Sequence, residues 1–285
     1  MAQHRFRSIF ISDVHLGTPD CKAAYLLDFL RSTRSEFLYL VGDIIDLEAL
    51  TLRSYWHPLH SAILGELLHK AETGTQVIYI PGNHDAPLRG LVGQKIGAAE
   101  VRLNAIHTGA DGRRYRVSHG DEFDPEQVGK AWLIRIGDVG LRHLCRINRG
   151  FNALRRRFKL PYLPLSIITK SRLGKALAYI QRYEESVAQA AHDYDVDGHI
   201  CGHIHYGGIR RIDGKLYLND GDWVEHCTAL TEDEHGTMEL LHWSEHCTAL
   251  ARTSMQELLP SPIAALAFAS LAPTRGGLAE LRSAA

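Results

Sequence analysis

Five short blocks of this chain place carboxylates, an amide and imidazoles where they can hold metal ions. They are SDVHLG (Ser12–Gly17), GDIID (Gly42–Asp46), GNHD (Gly82–Asp85), SHGD (Ser118–Asp121) and CGHIH (Cys201–His205). Asp13 and His15 are two residues apart, as are His203 and His205. In an extended segment such pairs point the same way and converge on one ion. Asp43 follows a glycine at the end of an apolar run, and its two oxygens can bridge two ions. Asn83 adds a neutral oxygen and His119 a further imidazole. Counting Asp43 twice gives four ligands for each of two ions. Two ions about 3.5–4 Å apart acidify water and clamp phosphoryl oxygens during in-line attack. Oxygen and nitrogen donors without thiolate suit Mn above all, with Fe, Zn or Mg as alternatives.

Taken singly, each block has a plainer reading. DxH in a loop is commonly a turn or cap, and GD after a strand is common turn chemistry. Their joint occurrence, in order and at strand ends, favours the two-metal reading. Cys201 reads as a small strand residue beside the ligands. His84 directly follows Asn83, so its ring is expected near the ions as a general acid for the leaving oxygen. Asp85 is expected to accept its other N–H and fix the tautomer; its plainer role is an Asx-turn or cap.

The elements that must carry these blocks are legible. SIFIS, FLYLVGD and QVIYIPGNHD read as strands, with helices over KAAYLLDFLRS and LHSAILGELLHKAETG, the latter closed by Gly74. That alternation implies parallel strands with right-handed crossovers, and sites form beyond their carboxyl ends. EVRLNAIHTG and RRYRVSHGD flank ADG as a hairpin. DVDGHICGHIH, GGIRRIDGKLYLNDGDW, HCTALTEDE and GTMELLHW read as a second, mainly antiparallel sheet. WVEHCTAL (Trp223–Leu230) recurs as WSEHCTAL (Trp243–Leu250), a local duplication rather than a repeat array.

The chain has 285 residues, 45% of them hydrophobic and 23% charged, with net charge −1. No apolar run reaches the roughly 18 residues of a membrane span, and the N-terminus lacks a signal-peptide stretch. Five cysteines without a CxxC pair suggest reduced thiols and a cytoplasmic chain. Most of the seventeen histidines, including His57, His60 and His107, read as structural. Charge is segregated: residues 128–182 hold thirteen Lys or Arg against Asp138 alone.

Together the blocks resemble the calcineurin-like metallophosphoesterase superfamily, over roughly residues 8–125 and 196–245. The resemblance implies a two-sheet α/β/β/α sandwich, a metallophosphoesterase domain over 1–252. A helical basic cap is expected as an insertion at about 127–194, and the Ala/Pro-rich tail over 253–285 is expected to be disordered. It implies one metal on Asp13, His15, Asp43 and His205, and the other on Asp43, Asn83, His119 and His203. Within the superfamily, SDVHLG, VGDIID, HGDEFD and GDW (Gly221–Trp223) are most similar to the UDP-2,3-diacylglucosamine hydrolases of lipid A synthesis. Those enzymes cleave a pyrophosphate, releasing UMP and a diacylated sugar phosphate, and resemble peripheral inner-membrane proteins. One departure is His84, where the best-studied branch has Arg. The protein Ser/Thr phosphatases look less similar, because Asp46 is followed by Leu47 and Glu48 rather than Arg.

The insertion includes RINRGFNALRRRFKLPYLP, with Arg149, Arg155, Arg156 and Arg157 among large apolar residues. Such interleaving suits an anionic membrane surface or acylated ligand better than nucleic acid, which needs charge alone; a plain solvated cap is the remaining reading. Asp121, Asp124, Asn219, Asp222 and Trp223 are expected to line the substrate side. The leading function is hydrolysis of a nucleotide-linked, acylated pyrophosphate. A general phosphodiesterase or phosphomonoesterase is the second reading, and a non-catalytic scaffold the third, disfavoured because every proposed ligand is present.

Overall fold

The computed structural model describes residues 4–124, 157, 174–244 and 247–253. Alternation along three apolar strands decides the layering. In β1 (His4–Ile11), β2 (Thr33–Val41) and β3 (Gln76–Ile80), one set of residues (Ile9, Ile11, Leu38, Leu40, Val77 and Tyr79) faces helices. The other set (Phe10, Tyr39, Val41, Ile78 and Ile80) faces a second sheet. Successive strand side chains point to opposite faces, so strands buried on both sides read as continuous apolar runs. Full burial of each large apolar side chain is worth about 1.5–3 kcal/mol, so these two layers carry most of the fold.

α1 (Ala23–Ser32) and α3 (Pro58–Glu72) cover the first sheet through Leu26, Leu27, Phe29, Leu30, Ile63 and Leu67. Pro58 opens α3, His57 caps it, and Gly74 follows its end with φ +106°. A short helix that sequence reading missed, α2 (Leu47–Leu52), is capped by Asp46, whose Oδ1 accepts from the Ala49 amide at 2.7 Å. The parallel strands continue through β5 (Ala99–Val101), with β4 (Lys95–Ile96) antiparallel at the edge.

The hairpin is present: β6 (Ala105–Thr108) pairs antiparallel with β7 (Arg114–Val117). These strands open a second sheet, ordered β6-β7-β8-β10-β9, with β8 (Gly198–Cys201), β9 (Gly208–Ile212) and β10 (Lys215–Asn219). α4 (Gly174–Asp193) covers its outer face with Ile180, Tyr183 and Val187. The layers are therefore α/β/β/α. Two expectations about this sheet need correcting. It is mixed, since β7, β8 and β10 run parallel. The later strands β11 (Thr228–Glu232), β12 (Met238–Trp243) and β13 (Cys247–Arg252) belong to the first sheet instead. β1 would otherwise leave an unpaired edge in the core; β11 pairs it antiparallel, Phe10 against Leu230. The two copies of the duplicated octapeptide end in β11 and β13, which flank β12, and Trp223 and Trp243 each lie 5.2 Å from the Phe29 ring.

Of the expected cap, only Arg157 and the chain from Gly174 are described; Arg149, Arg155, Arg156 and the tail from residue 254 lie outside the described residues. Arg157 is helical and exposed. Among the described residues no helix is long and apolar enough to cross a membrane.

His199 on β8 shows how the second sheet handles a buried base. Its Nε2 lies 2.9 Å from Ser118 Oγ and 3.3 Å from Arg116. Burial, then the Arg116 charge, pulls its pKa down to about 3. A pKa depressed by folding means the unfolded chain binds the extra proton. The stabilising contribution is complete above the ordinary value near 6.5 and is lost as pH falls toward 3. His199→Gln keeps an acceptor but cannot be protonated. Urea unfolding at pH 7.5 and 5 should show a smaller acid loss of stability in H199Q than in the parent; parallel losses would contradict this account.

Candidate metal centre

The loops after β1, β2, β3, β7 and β8 gather at one end of the two sheets. The first two are latched together: the amides of Val14 and His15 both donate to Asp43 O, at 3.0 and 2.9 Å. This brings the His15 ring between two acids, with Nε2 3.9 Å from Asp13 Oδ1 and 3.9 Å from Asp43 Oδ2. His205 Nε2 lies 3.1 Å from Asp13 Oδ1. On the other side of Asp43, Oδ2 is 3.4 Å from His119 Nε2, which is 3.2 Å from Asn83 Oδ1. The His203 ring stands 5.2 Å from that of His119. All seven residues singled out as ligands thus adjoin one another, with Asp43 between the two groups.

The convergence has a different cause from the one expected. Asp13, His15, Asp43, His203 and His205 are not extended; their φ angles are 49°, 52°, 53°, 70° and 53°. Left-handed backbone at non-glycine residues is costly and clusters at functional sites. Close approach is secured by glycine: a Cβ on Gly42 would sit 2.2 Å from His119 Nδ1, and one on Gly82 2.2 Å from Asp43 Oδ1.

Each imidazole is fixed from behind. His15 Nδ1 meets Asp46 Oδ2 at 3.0 Å, His119 Nδ1 meets Val41 O at 2.8 Å, and His203 Nε2 meets Asp124 Oδ2 at 2.9 Å. His205 Nδ1 lies 3.3 Å from Asp222 Oδ2. Carbonyl and carboxylate partners of this kind set the tautomer and aim the other nitrogen. His15 Nε2 is buried and makes no hydrogen bond among the described residues, and Asp13 Oδ1 has only its ion-pair contacts with His205 and His15. Buried polar atoms left unpaired are costly, and a divalent cation among them would satisfy both. The donor set fits the two-metal expectation.

The acids and imidazoles hold each other charged. Burial raises Asp43, but His119, then His15 and His84, outweigh it and keep the carboxyl well below its usual range. Burial lowers His119, yet Asp43 and Asp13 lift it well above the ordinary imidazole value. His205 is likewise lifted against burial to about 10 by Asp13 and Asp222.

His84 stacks edge-on against His15, ring centres 4.8 Å apart, on the open side. Its Nδ1 lies 3.2 Å from Asp46 Oδ1. Burial lowers it, but Asp46, Asp43 and Glu48 raise its pKa to about 9. The partner of His84 is thus Asp46, not Asp85. The Asp85 carboxylate is turned away and taken up by the Tyr79 hydroxyl (2.5 Å) and the amides of Gly82 (2.5 Å), Ile44 (3.0 Å) and Asp43 (3.3 Å). It braces the loop that carries Asp43.

The substrate-lining expectation also changes. Trp223 is fully buried against Phe29. Asn219 is buried and donates to Gly202 O at 2.7 Å. Asp222 and Asp124 stand behind His205 and His203, and Asp121 forms a two-pronged pair with Arg89 at 2.8–2.9 Å. The turn after β10 folds back beneath the CGHIH loop, so Asn219 and Asp222 brace that loop, and Asp124 braces His203 from the loop after β7.

A family model described as calcineurin-like phosphoesterase matches residues 6–207. The chain belongs to that family. This phosphoesterase is 24% identical to a UDP-2,3-diacylglucosamine hydrolase of Edwardsiella ictaluri, over 80% of this chain and 89% of that one. A protein of the same name from Ectopseudomonas mendocina is 26% identical over 80% and 95%. Among solved structures, the Escherichia coli phosphoesterase Yfce aligns with TM-score 0.47 and 13% identity, over 87% of this chain and 98% of that one. The phosphoesterase is a metal-dependent hydrolase of phosphoric esters, and its family implies divalent metals.

An ion held by His205 would displace the proton that this ring binds with a pKa of about 10, so metal binding there would release protons and tighten as pH rises. Titration calorimetry of Mn2+ at pH 7.5 in buffers of different ionisation enthalpy should show net proton release, and affinity should rise from pH 7 to 8.5. Binding with no proton release would contradict this charge assignment.

Proposed function

We propose that this phosphoesterase hydrolyses the pyrophosphate of UDP-2,3-diacylglucosamine or a near relative, releasing UMP and 2,3-diacylglucosamine 1-phosphate, with Mn2+ as its metal. Asp13, His15, Asp43 and His205 hold one ion; Asp43, Asn83, His119 and His203 hold the other. The observation that carries the reading is the position of Asp43 between His15 at 3.9 Å and His119 at 3.4 Å, with the His84–Asp46 pair on the open side. Two divalent ions there supply Lewis-acid polarisation of phosphoryl oxygens and make water acidic enough to attack near neutral pH.

The protein's own part is positioning and proton supply. Asp43 Oδ1 accepts from the His84 amide at 2.8 Å, which fixes the acid against the shared carboxylate. Asp46, 3.2 Å from its Nδ1, favours the protonated form of His84. Water attacks phosphorus and gives up a proton to solvent, the P–O bond to the departing phosphate breaks, and His84 donates its proton to that oxygen. The uridine-linked, acylated substrate is supported by the curated relatives, which align over 89% and 95% of their lengths. The basic segment around Arg149, Arg155, Arg156 and Arg157 brings the enzyme to an anionic membrane surface on the cytoplasmic side, where such a glycolipid resides.

Two measurements test this. Manganese-loaded protein given UDP-2,3-diacylglucosamine should yield UMP and the sugar phosphate far faster than it releases phosphate from simple monoesters; comparable rates would leave only general phosphoesterase activity. His84→Asn should lower kcat on that substrate by about 10²-fold or more, the scale of general-acid catalysis, while two equivalents of Mn2+ remain bound. Unchanged turnover would remove His84 from the chemistry.

A further inference from the structure

We propose that His226 is a positioning residue for the metal centre: it clamps Asp222, and through Asp222 it aims the His205 ring. The inference rests on the assignment of His205 as a metal ligand. Asp222 is wholly buried. Its Oδ1 accepts from the amides of Glu225 and His226, at 2.9 and 2.6 Å. Its Oδ2 lies 3.0 Å from His226 Nδ1 and 3.3 Å from His205 Nδ1. An ionised carboxylate accepts only, so each ring presents its Nδ1–H to Asp222 and leaves Nε2 to act elsewhere. For His205 that nitrogen is the one 3.1 Å from Asp13.

The loop around His226 has little freedom to shift. Thr228 Oγ1 donates to Asp220 O at 2.8 Å, the Thr228 amide donates to Asp222 O at 3.0 Å, and Cys227 sits at φ 54°. A space-filling role does not account for the residue type. His226 Nε2 is buried with no hydrogen-bond partner among the described residues, a cost that a leucine would avoid. What leucine lacks is the Nδ1–H. The same device stands behind the other histidine of this ion: Asp46 lies 3.0 Å from His15 Nδ1 and 3.2 Å from His84 Nδ1. The two copies differ in exposure. The His84 side chain is 29% exposed and meets the opening; that of His226 is 8% exposed and does not. His226 therefore works on the ligand, not on the substrate.

The test is Mn2+ binding to the full chain, by titration calorimetry and equilibrium dialysis, in His226→Leu and His226→Asn. Leucine removes the donor, whereas the asparagine amide can place an N–H where Nδ1 stood. H226L should weaken one of the two Mn2+ ions about tenfold or more, the range for lost outer-shell partners, and leave the second unchanged. H226N should retain both. Turnover of bis-p-nitrophenyl phosphate by H226L should recover at saturating Mn2+ with KM unaltered. Wild-type affinity for both ions in H226L, or equal weakening of both, would overturn the proposal. If circular dichroism shows H226L unfolded, His226→Gln takes its place with the same expectation, since its amide lies away from the Nδ1 position. Failure of the metal assignment itself would appear earlier, as a parent chain that does not bind two Mn2+ ions.

Discussion

Asp13 and Asp43 bring like charges into a buried cleft, and most of the surrounding structure answers that repulsion. Bare carboxylates removed from water would cost several kcal/mol each. Here they are interleaved with imidazoles and backbone amides. His205 and His15 flank Asp13, His119 and His15 flank Asp43, and amides reach the free oxygens: His203 N to Asp13 at 2.9 Å and His84 N to Asp43 at 2.8 Å. A third acid is handled differently. Ser12 Oγ lies 2.5 Å from Asp13 Oδ2 and 2.6 Å from Asp220 Oδ1. One hydroxyl proton cannot fully serve two carboxylates, which favours the neutral form of Asp220. Burial drives it well above the usual range despite Ser12, and Asp13 adds to the effect.

Such crowding needs a backbone that ordinary strand or helix geometry does not provide. A strand delivers one side chain per roughly 6.6 Å to a given face. The loops after β1, β2 and β8 instead use left-handed residues, which turn consecutive blocks inward. That strain is held by hydrogen bonds between loops rather than within them. The Asp13 amide donates to Gly42 O at 3.1 Å and the Asp46 amide to Leu16 O at 2.8 Å. The glycines preceding Asp43 and Asn83 are therefore contact residues, because any side chain there would displace His119 or Asp43 itself.

These loops also mark what sequence reading reached. The three parallel strands, α1, α3 and the hairpin were legible because period and run length report burial directly. The blocks that converge at the candidate metal centre were legible because rare residue types recur at strand ends. Supporting roles were not. Whether Asp46 or Asp85 stands behind His84 depends on a capped turn at Asp46 and on the reach of Tyr79 across the sheet, neither of which leaves a periodic trace. Trp223 was misplaced for a related reason. A conspicuous aromatic beside a motif suggests a substrate platform, yet here it follows the site loop into the outer core and packs on Phe29. The final strands were assigned to the wrong sheet because β11 looks alike in sequence whether it extends β10 or pairs with β1.

The crossing from β10 to β11 explains why site and fold are hard to separate. The chain leaves the second sheet at Asn219 and enters the first at Thr228, and the turn between them carries Asp220, Asp222 and His226. Along that seam the Trp223 amide donates to Asp13 O at 3.1 Å, Ser12 reaches Asp220, and Asn219 holds Gly202. The two sheets are therefore fastened at this end by the residues that shape the metal centre. At the opposite end a buried network of Arg7, Ser8, His107 and Glu232 fastens them independently, with Glu232 2.9 Å from Arg7 and from His107. Pinned at both ends in this way, the sandwich holds the candidate ligands of its two sheets in register by buried hydrogen bonds as well as by packing.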